Sequence, residues 1–132
     1  MDVKAIARGT VEALEKGHYT TPDGQTVDLT ALLTTCLDNT QSYTPDDLSH
    51  IRKQVLAEPA SQAETTFAVV NETTLEGCTR LIAHQHYQRI GVLNFASAKN
   101  PGGGFLGGAR AQEESLARSS ALYFSLRQCP EH

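Results

Sequence analysis

The chain has 132 residues, 39% of them hydrophobic and 20% charged, with a formal net charge of −4. That length supplies one domain's worth of core, and the composition is ordinary for a soluble globular protein. The eleven Lys and Arg are scattered, which excludes broad electrostatic capture of nucleic acid because that needs a basic face, so no direct DNA binding is expected.

Val3, Ile6, Ala7, Val11 and Leu14 recur at helical spacing, and Gly17 stands where such a helix stops. The same opening stretch has no apolar core of signal-peptide length, and nothing later approaches a membrane span. The expected location is cytoplasmic, with no membrane partner. Pro22-Asp23-Gly24 between β-branched flanks predicts a short hairpin over residues 18–28. Leu29, Leu32, Leu33, Cys36 and Leu37 then form an apolar stripe that Asp28 is placed to cap. Thr44-Pro45-Asp46-Asp47 starts a third helix, which runs through Leu48, Ile51 and Val55 and ends near Pro59. The small, polar segment 57–65 reads as a connection, so residues 1–60 are expected to form a helical segment and residues 61–132 a different kind of structure.

Phe67-Ala68-Val69-Val70 is a short apolar run, and Thr73 with Glu76 forms a capping box ahead of Leu75, Cys78, Leu81 and Ile82. Ile90 to Ala96 predicts a second buried strand. Strand, helix, strand over this distance is a βαβ unit with parallel strands, and ligands collect at the carboxyl ends of such strands. Asn71 and a glycine-rich loop lie at that edge. A last helix is predicted from about Ala111 to Leu126. The three cysteines, Cys36, Cys78 and Cys129, are odd in number and far apart, which disfavours a zinc knuckle or a disulfide framework and suits a reducing compartment. Cys36 and Cys78 read as small core residues.

Gly102, Gly103, Gly104, Gly107 and Gly108 fall within seven residues, and Gln112-Glu113-Glu114 follows. Such glycines let the backbone turn through φ > 0 and let a ligand approach bare N–H groups, which suits a phosphate. Carboxylates just beyond would repel that phosphate, so acid–base work on a neighbouring sugar accounts better for them. No Ser, Thr, Asp or Asn stands just before Gln112, so the first N–H groups of that helix lack a side-chain cap. The plain alternative is that Glu113 and Glu114 only complement the helix dipole, with Glu114 paired to Arg118. Phe105 is placed to cover a ligand. His84 and His86 lie at a helix end without an acid or cysteine partner and read as a surface pair, so neither a metal nor a cofactor is expected.

Asn-Pro-Gly-Gly-Gly followed by Gln-Glu-Glu resembles the signature of the microbial poly(ADP-ribose) glycohydrolases, and the flanking NFASAKNPGGGFLGGARAQEESLARSS and VVNETTLE are similar to that family as well. The resemblance covers Thr66 to about Leu126. It implies an α/β fold, the N-terminal part of a macrodomain-like α/β/α sandwich preceded by a helical segment. It also implies hydrolysis of ribose–ribose bonds, with ADP-ribose or poly(ADP-ribose) on modified proteins as ligand. Carried over by position, Glu114 would be the catalytic acid/base and Glu113 would hold ribose hydroxyls. Gln112 would shape the same pocket, Gly102, Gly103 and Gly104 would lie along the diphosphate and distal ribose, and Asn100 would orient the substrate. An oxocarbenium-like transition state needs an acid on the leaving oxygen and then a base on water. A helix N-terminus lowers a glutamate's pKa whereas a general acid wants it raised; burial, the Glu113 charge and a bound diphosphate would push it back up. The family's later strands, with a second phosphate loop and an aromatic contact to adenine, have no counterpart before His132, so an exposed sheet edge open to self-association is expected.

Two other readings compete. A non-catalytic ADP-ribose-binding module needs the glycine loop but has little reason to keep two acids against a negative ligand. A Rossmann-type dinucleotide site fits Gly102-x-Gly104-x-x-Gly107, yet the acid expected about twenty positions further on is missing.

Overall fold

The structure is a computed structural model that describes residues 2–59, 63–84, 87 and 89–129. The elements follow in the order α1 (Val3–Lys16), β1 (His18–Thr20), β2 (Thr26–Asp28), α2 (Thr30–Asp38), α3 (Pro45–Ala57), α4 (Thr74–Ala83), a 3-10 turn (Phe105–Gly107), α5 (Gln112–Ser119) and α6 (Leu122–Leu126).

The helix starts are set by side chains. Asp2 accepts the Lys4 N–H at 2.9 Å to cap α1, and Gly17, at φ 74°, ends it in the left-handed region. The N-cap position of α2 is Leu29, without a side-chain cap bond, and Asp28, one residue earlier, accepts the Thr30 N–H at 2.7 Å. Capping boxes open α3 (Thr44 with Asp47) and α4 (Thr73 with Glu76), each satisfying two backbone or side-chain donors reciprocally. The hairpin forms where expected: β1 and β2 pair antiparallel in the register His18↔Asp28, Tyr19↔Val27 and Thr20↔Thr26.

The core is small and sits around α5. Ala7 and Ala117 are fully buried and Phe105 is 1% exposed, with Val11 and Tyr123 packed against them. The Thr10 hydroxyl of α1 donates to the Arg118 carbonyl at 2.6 Å, which ties the first helix to the end of α5. A side-chain contact of 2.9 Å between Thr40 and Ser125 links α2 to α6.

Three expectations change. The final helix is not continuous: Ser120 is extended (φ −155°, ψ 178°), its hydroxyl donates to the Leu116 carbonyl and accepts the Leu122 N–H, and the chain restarts as α6. A serine that bonds backbone groups on both sides competes with the helix ladder, which is why the break falls there. The apolar runs at Phe67–Val70 and Ile90–Ala96 are not hydrogen-bonded strands. Their side chains stand largely in solvent, Phe67 at 92%, Leu93 at 75% and Phe95 at 68% exposed. A strand, unlike a helix, takes its hydrogen bonds from a neighbouring strand, and among the described residues neither segment has one beside it. Every residue of α3 is likewise exposed, including Leu48, Ile51 and Val55 of its apolar stripe. Cys36 and Cys78 are half-buried, short of the core position expected for them. His86 lies outside the described residues, while His84 is the C-cap of α4.

Candidate active site

The site is a loop folded back onto the start of α5. Ser97 to Asn100 make the first bend, with the Ser97 hydroxyl accepting the Lys99 and Asn100 N–H groups at 3.3 Å each. The Gly103 N–H then donates to the Asn100 carbonyl at 2.9 Å. Gly102 and Gly103 are both left-handed, at φ 73° and 58°, which is the conformation that makes glycine necessary here. This brings their backbone under the first turn of α5. That turn has Ala111 at its cap position with no side-chain cap bond, as its sequence foretells.

The amides of the loop go to the glutamates. Glu113 is 2% exposed, and three donors converge on it: the Ser97 N–H at 2.6 Å, the Gly102 N–H at 3.1 Å and the Asn94 amide at 3.4 Å. Glu114 is 9% exposed and accepts the Gly104 N–H at 3.0 Å through Oε1. Its other oxygen, Oε2, is shielded from solvent and has no hydrogen-bond partner among the described residues. The Gly104 N–H bond is the chief reason that the Glu114 carboxyl is held below the ordinary glutamate range. Its own backbone N–H, the Arg118 charge and the Ala111 backbone act the same way, while burial opposes them.

Both carboxylates crowd one spot. A Cβ added to Gly103 would lie 2.3 Å from Oε1 of Glu114 and 3.2 Å from Oε2 of Glu113. The glycine run thus has a local purpose that the sequence reading missed: it lets the backbone pass close enough to hand its N–H groups to two acids. Gly102, Gly103 and Gly104, read from sequence as offering bare amides to a phosphate, all spend those amides inside the protein.

The remaining candidates fall into place around this. Gln112 is a tether: its carbonyl oxygen accepts the Phe95 N–H at 2.9 Å, and its amide donates to the Leu93 carbonyl at 2.8 Å and the Thr74 hydroxyl at 3.2 Å. It pairs with the extended segment as a neighbouring strand would and fixes it to the start of α4. Asn100 is exposed at the mouth of the loop. Phe105, read from the sequence as placed to cover a ligand, is 1% exposed. It points into the core against Ala7, Ala117 and the Tyr123 ring, whose centroid is 5.0 Å away, because an apolar side chain on a tight turn gains more by burial than in solvent. Glu114 and Arg118 do not form the ion pair allowed by their spacing; the Arg118 guanidinium donates to the Ala109 carbonyl.

Asn94 and Ser97 were not singled out from the sequence, yet they supply two of the three donors to Glu113. A lone asparagine inside the apolar run Ile90–Ala96 is the signal that could have found the first, since a buried polar side chain needs a partner. Ser97 donates through its backbone and left no trace in side-chain chemistry. A groove of about 720 Å³ lies elsewhere, between α1, α2 and the joint of α5 with α6, and none of the four residues Asn94, Gly103, Glu113 and Glu114 lines it.

Comparison with known proteins gives the family of the chain. Residues 7–132 match the profile of the microbial-type PARG catalytic domain, so the chain belongs to that family. Poly(ADP-ribose) glycohydrolase (PARG) from Thermomonospora curvata is 45% identical with a TM-score of 0.88, over 98% of this chain and 46% of that one. The same enzyme bound to the inhibitor ADP-HPD gives 43% identity and a TM-score of 0.84, over 98% and 44% of the respective chains. A glutamate-to-alanine mutant of it gives the same values. No curated protein matches the chain. The chain therefore carries part of the PARG fold and spans less than half the length of these structures.

Proposed function

We propose that this chain carries the acid/base machinery of a poly(ADP-ribose) glycohydrolase, which hydrolyses ribose–ribose bonds and releases ADP-ribose. The observation that carries the reading is Glu114: one carboxylate oxygen pinned by a loop amide, the other buried and without a partner. A buried acceptor left unsatisfied costs about 1–3 kcal/mol, and a group kept at that cost is a candidate for function.

In this scheme protonated Glu114 gives its proton to the leaving ribose oxygen as the glycosidic bond breaks. The resulting carboxylate then takes a proton from the water whose oxygen bonds to the anomeric carbon, which restores the acid. The Gly104 amide disfavours the protonated form in the free chain, so the substrate's own negative charge is what raises the Glu114 pKa on binding. Glu113 has about four lone-pair sites and three donors, which leaves one for a ribose hydroxyl. Asn100 at the mouth orients the substrate, Gly102 to Gly104 form the floor beneath the sugar, and Gln112 keeps the neighbouring segment in place.

The ADP-ribose unit as ligand is supported by the related enzyme's complex with ADP-HPD. The macrodomain-like sandwich is completed, in this reading, by structure that pairs with the extended segments at 66–70 and 90–96, and a second copy of the chain can occupy the same edge. A cytoplasmic location accords with three free thiols among the described residues.

The test is Glu114→Ala in the protein extended to the length of its solved relatives. Release of ADP-ribose from poly(ADP-ribose) is expected to fall by about a hundredfold or more, the scale of a lost general acid/base. Near-normal turnover would return Glu114 to a dipole-complementing acid.

A further inference from the structure

Arg118 follows Glu114 by one turn of α5, the spacing at which an acid and a base usually meet on a helix surface. It does not meet the acid. Its Nη1 donates instead to the Ala109 carbonyl at 2.5 Å, back across the turn that precedes the helix. The Ala109 N–H donates in its own direction to the Gly104 carbonyl at 3.1 Å, and the Gly104 N–H donates to Oε1 of Glu114 at 3.0 Å. A charged group, two loop residues and the catalytic carboxylate are thus joined in one chain of hydrogen bonds.

The ends of that chain are anchored. The Arg118 carbonyl is held by the Thr10 hydroxyl, and Phe105, within the closed loop, is buried in the core. Between these anchors the loop from Gly104 to Ala109 also has the Gly107 N–H on the Gly104 carbonyl at 3.0 Å. Among the described residues, the bond from Arg118 connects this loop to the helix bearing Glu114 from outside the glycine run. An ionised donor on a carbonyl makes a stronger bond than a neutral one, so it is suited to fixing the position of Ala109.

We propose that Arg118 is a positioning residue: by holding the Ala109 carbonyl it keeps the Gly104 amide on Oε1 of Glu114 and thereby leaves Oε2 as the oxygen that exchanges the proton. This rests on the reading of Glu114 as the acid/base. Among the described residues only one guanidinium nitrogen is used, so a single flexible donor of the same charge should serve in part.

The experiment uses Arg118→Met, Arg118→Lys and Glu114→Ala in the protein at the length of its solved relatives, with two readouts: steady-state kinetics on poly(ADP-ribose), and amide hydrogen exchange at Gly104. Arg118→Met is expected to lower kcat by about tenfold with KM within about twofold, the pattern of an interaction made chiefly in the transition state. Exchange at Gly104 should rise about tenfold while the amides of α1 keep their rates. Arg118→Lys is expected to recover kcat to within about threefold of the parent and to return Gly104 exchange toward it. If Arg118→Met does not fold, Arg118→Gln takes its place with the same expectations. Parental kcat in the methionine variant, unchanged Gly104 exchange, uniformly faster exchange through α1, or a lysine variant as slow as the methionine one would each overturn the proposal. An active Glu114→Ala would overturn the acid/base reading itself, whereas Gly104 exchange tests the hydrogen-bond chain independently of turnover.

Discussion

Glu113 and Glu114 are neighbours in sequence and have opposite surroundings. Three donors saturate most of Glu113, while Glu114 keeps an oxygen with no partner among the described residues. That asymmetry separates the two roles in the proposed reaction, one acid framing the site and the other moving a proton. Gly103 is what allows both acids to face the same point. Gly103→Ala is expected to destabilise the chain by about 1–2 kcal/mol through its left-handed backbone, with about 1–3 kcal/mol more from overpacking against Glu114. Gly107 has no positive φ and no atom within 4 Å of an added Cβ, so Gly107→Ala is expected to stay within about 0.5 kcal/mol. Urea midpoints of the two variants check this, and equal effects would remove the close approach as the reason for the glycine. The pair of acids was legible from Gln112-Glu113-Glu114. Their partners were not, because Gly102, Gly104 and Ser97 contribute backbone N–H groups, which every residue but proline possesses.

At the scale of elements, what the sequence disclosed was whatever the chain can decide locally. Thr44 with Asp47 and Thr73 with Glu76 fix the starts of α3 and α4 using residues only three positions apart. Position 120 was harder: a serine at the end of an apolar helix is unremarkable until its hydroxyl is seen bonding on both sides. The runs at 66–70 and 90–96 carry strand composition, but pairing is decided by partners distant in sequence. The capping boxes also set a pH dependence. Hydrogen bonds from Thr44 and Thr73 depress the carboxyls of Asp47 and Glu76, so their contribution to helix stability is present above the ordinary carboxylate values and is lost as pH falls through the lowered ones. Circular dichroism between pH 6 and 2 is expected to show a loss of helix on acidification that is smaller in an Asp47→Asn, Glu76→Gln variant. An identical loss in that variant would mean that the boxes do not titrate with the helices.

As a whole molecule the chain has its chemistry concentrated around one loop and its apolar surface unevenly covered. Phe67, Val69, Leu93 and Phe95 stand more than two-thirds in solvent, and the apolar stripe of α3 is uncovered. The chain spans 44–46% of the related solved structures, so these faces are the ones available to the remainder of such a protein. An open cleft admits water, which weakens every electrostatic interaction in it and with them both ligand binding and acid catalysis. The 132-residue chain alone is therefore expected to bind ADP-ribose weakly and to release little of it from polymer compared with a protein of the relatives' length. Side-by-side assays decide this, and comparable turnover by the two would refute it.

The hydrogen bonds from Gly102 to Glu113 and from Gly104 to Glu114 have a consequence for how such a site can change over generations. The loop's shape and the proposed chemistry depend on the same two carboxylates. Shortening Glu114 to alanine removes a strut of the loop along with the proposed proton carrier, so the descendant would inherit neither the proposed chemistry nor the loop's shape. Glutamine keeps the carbonyl oxygen that accepts the glycine amide and gives up only the ionisable proton. A lineage drifting from cleavage toward mere recognition would thus pass more readily through an amide at 114 than through an alanine.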